Sequence, residues 1–259
     1  MAGAGLAGLA LADALHRAGV PVRVLEARSR AGGRIWSEGG FDLGPTWFWP
    51  GQRRMASLVD ELGLERFEQP TRGTALLERG GQRHRLPPQQ EMVSYRVAGG
   101  MGALAEGLLA RLPKEALLLG RRVQRVRLEG TSVRVEAAGP EGVEVYAADA
   151  VALTLPPRLL AELAIEPALP REQLAELRAV PTWMAGTAKA VAVYDTPFWR
   201  ERGFSGTAFS ADGPLQEIHD ATSPGGPAAL FGFVGGTTAE RGSVGAEALT
   251  RAIGEQLAR

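Results

Sequence analysis

The chain has 259 residues, 45% hydrophobic and 22% charged, with 29 basic against 29 acidic residues and no net charge. This is ordinary globular composition, sufficient for one large domain or two smaller ones, and the charge balance argues against a nucleic-acid or anionic-membrane partner. The lack of cysteine excludes disulfides, thiolate nucleophiles and cysteine-bound metals, and the scattered His16, His84 and His219 offer no metal site and receive no role.

The chain opens MAGAGLAGLALADALHRAG, in which Gly3, Gly5 and Gly8 have the spacing G-x-G-x-x-G. In dinucleotide-binding folds that spacing joins a strand to a helix. The glycines permit a tight turn and close approach of backbone to pyrophosphate, and the helix N-terminus presents free N–H groups. The competing reading is small residues for helix packing. Leu6, Leu9, Ala10 and Leu15 recur at helical spacing as far as Arg17, with Gly19 as a stop. Val20, Val22 and Val24 then alternate as a strand ending at Glu26, where a carboxylate can accept ribose hydroxyls. Arg28 and Arg34 flank Gly32 and Gly33, which brings cations and pliable backbone beside the phosphates; alone, this would read as a solvated loop. Only Met1 and Ala2 precede the first glycine, so the strand feeding the loop is expected to be cut short.

A second amphipathic helix is expected over Arg53–Leu62, stopped by Gly63. The polar run Glu78–Gln90 (ERGGQRHRLPPQQ) reads as a turn or crossover, and VAGGMGALAEGLLARL as a loop entering a helix. The pattern then switches to period two at Val126 and Leu128, Val133 and Val135, and Val143 and Val145, a small antiparallel meander with turns near Gly130 and Pro140. ADAVALTLPP reads as a buried strand, Pro157–Leu163 and Arg171–Arg178 as helices, GTAKAVAVYD and Ala228–Val234 as strands, and Gly245–Ala258 as a helix. No apolar run approaches the roughly 18 residues of a membrane span. The N-terminus lacks a basic leader and carries Asp13 and His16, so no membrane attachment and a cytoplasmic location are expected.

Three features invite a choice between chemistry and architecture. Lys189, one of only two lysines with Lys114, shares a strand face with Val191 and Val193. Burying an ammonium is costly unless something uses it, and the alternative is a side chain snorkelling to solvent. The four arginines of GRRVQRVR form either a nucleic-acid patch or a solvated strand face. Trp47, Phe48 and Trp49 are either core or cavity lining.

The run Gly3–Arg34 resembles the N-terminal FAD-binding signature of the flavin-dependent amine oxidase family, which includes the monoamine oxidases. FDLGPTWFWPGQRRMASLVDELGL is similar to that family's flavin-proximal loop and helix. VAGGMGALAEGLLARL with LLLGRRVQRVRL is similar to its return segment. ADAVALTLPP and AKAVAVYDTPFWRERGFSG extend the likeness over almost the full length, as in compact bacterial members.

The resemblance implies an α/β fold: a Rossmann-like FAD-binding domain built from discontinuous segments, with a smaller mixed α+β substrate domain. The boundaries expected are 1–75 and 95–157 for the FAD domain, 76–94 for a short crossover and 158–259 for the substrate domain. It also implies FAD as cofactor, held by Gly3, Gly5, Ala7, Gly8, Glu26, Ala27, Arg28, Gly33, Arg34, Gly44, Thr46, Trp47 and Val123, the last through its backbone near adenine. Lys189 is implied as the catalytic group, holding a water near flavin N5, with no metal. The implied reaction oxidises a small amine to an imine with O2 reduced to H2O2. A related desaturase or porphyrinogen oxidase, or a non-catalytic remnant of the fold, are the alternatives. The chain departs from the family in three places: the short first strand, a crossover between Thr71 and Arg96 where larger members carry a helical insertion, and no counterpart of the C-terminal FAD segment. It therefore reads as truncated at both ends and, by itself, as not a competent oxidase.

Overall fold

A computed structural model describes residues 1–87 and 92–259. The chain forms two interleaved units, Met1–Trp36 with Gly102–Trp183, and Ser37–Met101 with Met184–Arg259.

In the first unit, Ala2 lies between two parallel neighbours, bridging Leu25 on one side and Leu153 on the other. The ladder runs Ala2 N–H to Ala152 C=O at 2.9 Å, Gly3 N–H to Leu25 C=O at 2.8 Å and Thr154 N–H to Ala2 C=O at 3.0 Å. Met1–Gly3 thus occupy a central strand position in abbreviated form. The segment read as a buried strand, ADAVALTLPP, holds a half-buried bridge at Leu153 in place of a full strand. Val24–Glu26 forms a strand, pairing in parallel with Leu117–Leu119, and the alternation at Val20 and Val22 lies outside it.

Helix Leu6–Arg17 buries Gly8, Leu9, Ala12 and Asp13 and packs against helix Gly102–Ala110, which buries Leu104, Ala105 and Leu108. The expected meander is present as Arg122–Glu129, Ser132–Gly139 and Gly142–Ala148, with Ala164–Glu166 added in parallel on Arg122–Glu129. Val126, Val133, Val135 and Ala137 point from it onto Leu25, forming this unit's core. The arginine run is a paired, solvated face: Arg121 meets Glu144 at 3.0 Å and Arg127 meets Glu166 at 2.7 Å, while Arg125 bridges Glu166 and Glu136.

The second unit is organised on a six-stranded sheet in the order Ala188–Tyr194, Ala228–Val234, Leu215–Asp220, Phe204–Ser210, Thr74–Arg79, Gln82–Leu86. The last two strands form a hairpin that runs into the stretch Glu78–Gln90, read as a turn or crossover. Only Gly80 and Gly81, both at positive φ, form its turn, and residues 88–90 of that stretch lie outside the described residues. Strand pairing outweighs the polar composition here because Leu76 and Leu77 pair with Ala208 and Phe209 on one side, and Gln82–Leu86 pairs along the other side of the same strand. Helix Ala246–Leu257 covers one face through Leu249, Ile253 and Leu257, packed on Leu215, Ile218 and Val234. On the other face Phe41 and Trp47 pack against Val191, Ala229, Phe231 and Phe233. Helix Arg53–Glu61 and the strand pairs Ser37–Glu38 with Phe41–Asp42, and Arg66–Glu68 with Tyr95–Val97, complete the unit.

Candidate functional site

The glycine loop in the first unit has two kinds of glycine. A side chain at Gly8 would place its Cβ 2.1 Å from the Gly3 carbonyl oxygen and 2.8 Å from Thr154 Oγ1, so that position tolerates only glycine. Gly3 has φ +103°, which also favours glycine. A Cβ at Gly5 would meet no atom within 4 Å. Gly8 therefore serves close packing, whereas Gly5 faces open space at the N-cap of helix Leu6–Arg17, where the first N–H groups have no intrahelical acceptor. That arrangement fits a pyrophosphate: an open cradle, positive helix end and free donors.

Glu26 is buried at the end of its strand. Its Oε2 accepts the Ala4 N–H at 2.8 Å and its Oε1 accepts the Arg28 N–H at 2.9 Å. It thus ties the glycine loop to the segment after the strand, and the second lone pair on each oxygen is left for ribose hydroxyls. Gly32 N–H bonds the Ala4 carbonyl at 2.8 Å, and a Cβ at Gly33 would lie 3.1 Å from Gly5 Cα, so the two glycine segments touch. Arg28 is exposed and donates to the Gly33 carbonyl at 3.0 Å; Ala27 and Arg34 are exposed. The residue that shapes this loop is Arg30, donating to the carbonyls of Ala31, Gly33 and Ile35 and lying over the Trp36 ring. Its spacing carried no signal, since these three hydrogen bonds all go to backbone carbonyls. Val123 packs its side chain into the unit's core. Its backbone follows Arg121, whose N–H bonds the Glu26 carbonyl at 2.8 Å.

In the second unit Lys189 is half-buried and does not snorkel. Its ammonium donates to the Gly44 carbonyl at 2.6 Å and to Thr46 Oγ1, and lies 4.7 and 5.2 Å from the ring centres of Phe231 and Phe233. Burial lowers its pKa to about 8, with Asp42 opposing and Arg96 reinforcing that shift. The aromatic trio separates. Phe48 is core, Trp49 is exposed, and Trp47 lies on the sheet face with its indole N–H on Gln69 Oε1 at 2.8 Å. His219, given no role from sequence, stacks edge-on against Trp47 at 5.0 Å and bonds Glu217 at 2.7 Å. Register explains the grouping, because Phe233 pairs with both Lys189 and Glu217, so all three project from one face. Burial of the charged Asp42, Arg96 and Asp220 was not legible beforehand, since each has partners distant in sequence, at Met101, Ala221 and Trp199 respectively.

The model of the family described as flavin containing amine oxidoreductase matches residues 6–94 and 89–259. The chain belongs to that family. Its cofactor is FAD and its chemistry is that of an amine oxidase-like oxidoreductase. Putrescine oxidase from Kocuria rosea is 27% identical over 350 residues, covering 90% of this chain and 72% of that protein. Those 350 positions exceed the length of this chain, so part of the relative faces no residue here, and the family match comes in two segments that overlap at residues 89–94. Amine oxidase [flavin-containing] B from Cavia porcellus is 30% identical over 142 residues, 54% of this chain but only 26% of that protein. The solved structure of cyclohexylamine oxidase from Brevibacterium oxydans IH-35A superposes with a TM-score of 0.82 at 19% identity, covering 99% of this chain and 79% of that one, and shows the shared fold. Among the described residues no helix is long and apolar enough to cross a membrane.

Proposed function

We propose that the protein carrying this sequence oxidises a small amine at the carbon next to nitrogen, giving an imine that water hydrolyses, with O2 as electron acceptor and H2O2 as the second product. FAD, when bound, supplies the two-electron acceptor. Gly3, Gly5, Ala7 and Gly8 with the adjoining helix N-terminus would hold its pyrophosphate, assisted by Arg28, Gly33 and Arg34. Glu26 and Ala27 would hold the ribose, and the Val123 backbone the adenine. Gly44, Thr46 and Trp47 would form the flavin-proximal loop. The functional division proposed remains 1–75 with 95–157 for the cofactor, 76–94 as a crossover and 158–259 for substrate, in the cytoplasm.

The observation that carries the reading is Lys189: an ammonium kept out of bulk water, fixed on Gly44 and Thr46 and flanked by Phe231 and Phe233. Such a group can hold a water and govern its proton at a fixed point. The same face favours a diamine over a monoamine. Glu217 lies in the Lys189–Phe233 row, is partly exposed, and is held below the usual carboxylate range by its bond to His219. It can receive a second, distal ammonium. The test is to purify the chain by itself and together with whatever genomic sequence adjoins it, each with FAD, record bound flavin, and assay peroxide with putrescine, butylamine and benzylamine. Bound flavin with amine-dependent peroxide is expected from the form that carries the adjoining sequence. Bound flavin in that form without peroxide from any amine would sink the proposed activity.

A further inference from the structure

Asp42 closes the strand Phe41–Asp42 and is buried. Its Oδ1 accepts the Ser37 hydroxyl at 2.6 Å and the Met101 N–H at 2.7 Å. Its Oδ2 is buried with no hydrogen-bond partner among the described residues. The next residues along the chain are those that receive Lys189, at the Gly44 carbonyl and Thr46 hydroxyl. From the strand Tyr95–Val97 comes Arg96, wholly buried, donating to the carbonyls of Asp220 and Ala221 and lying over the Phe67 ring, while its Nε has no partner among the described residues. An unpaired buried carboxylate oxygen is costly, and it persists where charge on the site offsets it.

We propose that Asp42 is a positioning residue for Lys189: anchored by Ser37 and Met101, it fixes the loop that receives the ammonium and supplies the negative charge that balances Lys189 and Arg96 within one buried cluster. The charged groups around Lys189 are Asp42 on the receiving loop, Arg96 on the neighbouring strand and, two strands away on its own sheet, the Glu217–His219 pair. Asp220 is engaged by Trp199 and Arg200 at 2.7 and 2.6 Å and by the Thr222 N–H, so it is committed elsewhere. Asp42 is therefore the carboxylate available to Lys189. Burial raises its own pKa and the coulombic attraction of Arg96 and Lys189 opposes that rise, as expected for coupled groups.

The chain has two lysines, Lys114 and Lys189, and Lys114 is exposed. Isotope-labelled lysine thus gives two side-chain NMR signals, one serving as internal reference. In the wild type the Lys189 signal is expected to show its own titration and a second, smaller step at acid pH as Asp42 protonates; Lys114 shows neither displacement. In Asp42→Asn, which keeps an acceptor for Ser37 and Met101 but removes the charge, Lys189 is expected to titrate lower by on the order of one pH unit, and the acid step to vanish. A Lys189 signal without the acid step in the wild type, or one titrating unchanged in Asp42→Asn, overturns the proposal. The wild-type curve decides alone if the variant does not fold. The proposal takes its functional meaning from the role given to Lys189 above, but the titration needs neither flavin nor substrate. Normal flavin reduction and reoxidation in Lys189→Met would refute that role and leave the coupling standing.

Discussion

Glu26 accepts the backbone N–H of Ala4 at 2.8 Å, across 22 residues of sequence, and so the acid proposed to bind the ribose also holds the glycine loop in shape. Its second oxygen does the same for Arg28 at 2.9 Å. Removing the side chain leaves two donors without their acceptor, one of them deep in the fold. Glu26→Ala is therefore expected to lower stability by about 1.5–3 kcal/mol in addition to weakening FAD. Urea unfolding of the flavin-free chain measures the first effect alone. A wild-type midpoint would confine Glu26 to the ligand.

The glycine loop allows packing and binding to be separated. Gly8→Ala drives a Cβ into backbone 2.1 Å away and is expected to destabilise the fold with or without cofactor. Gly5→Ala meets no neighbour and keeps an ordinary extended backbone, so its stability should stay within about 0.5 kcal/mol of wild type. It should nevertheless lose FAD affinity, because the methyl enters the open cradle. Thermal melting beside flavin titration distinguishes the two. Equal FAD affinity in Gly5→Ala and wild type would remove the pyrophosphate from this cradle.

Lys189 links stability to pH. Its folded pKa, lowered to about 8 by burial, lies below the ordinary 10.5, so between these values the unfolded chain binds more protons than the folded one. Stability should therefore rise with pH across that window and be flat below it, and a shift of this size corresponds to about 3 kcal/mol at most. Comparing wild type with Lys189→Met at each pH isolates the contribution. A difference that does not change from pH 7 to 10.5 contradicts the burial of the ammonium.

Glu217 should govern diamine preference. Glu217→Gln keeps a partner for His219 but loses the charge facing a distal ammonium. The expected result is a fall in kcat/KM for putrescine of roughly tenfold or more, equivalent to about 1.4 kcal/mol or more, with butylamine little changed. Parallel losses for both amines would make Glu217 a structural residue only.

The sequence by itself determined the local elements and the nucleotide loop. Helices Leu6–Arg17 and Ala246–Leu257 and strand Ala228–Val234 follow from periodicity, and the glycine spacing with Glu26 follows from close-range backbone geometry. The family likeness named the cofactor because those motifs keep their order along the chain. Tertiary structure decided what depends on distant partners. Polar residues 82–86 became a strand because a sheet edge was there to pair with. Trp47, Phe48 and Trp49 took three different environments because one lies against Phe231, one against Tyr95 and one in solvent. Asp42, Arg96 and Lys189 share a cluster only because strand register and loop closure bring positions more than fifty residues apart into reach of one another's charge. Periodicity reports which face a residue occupies, but the field that sets its chemistry comes from whatever packs against that face.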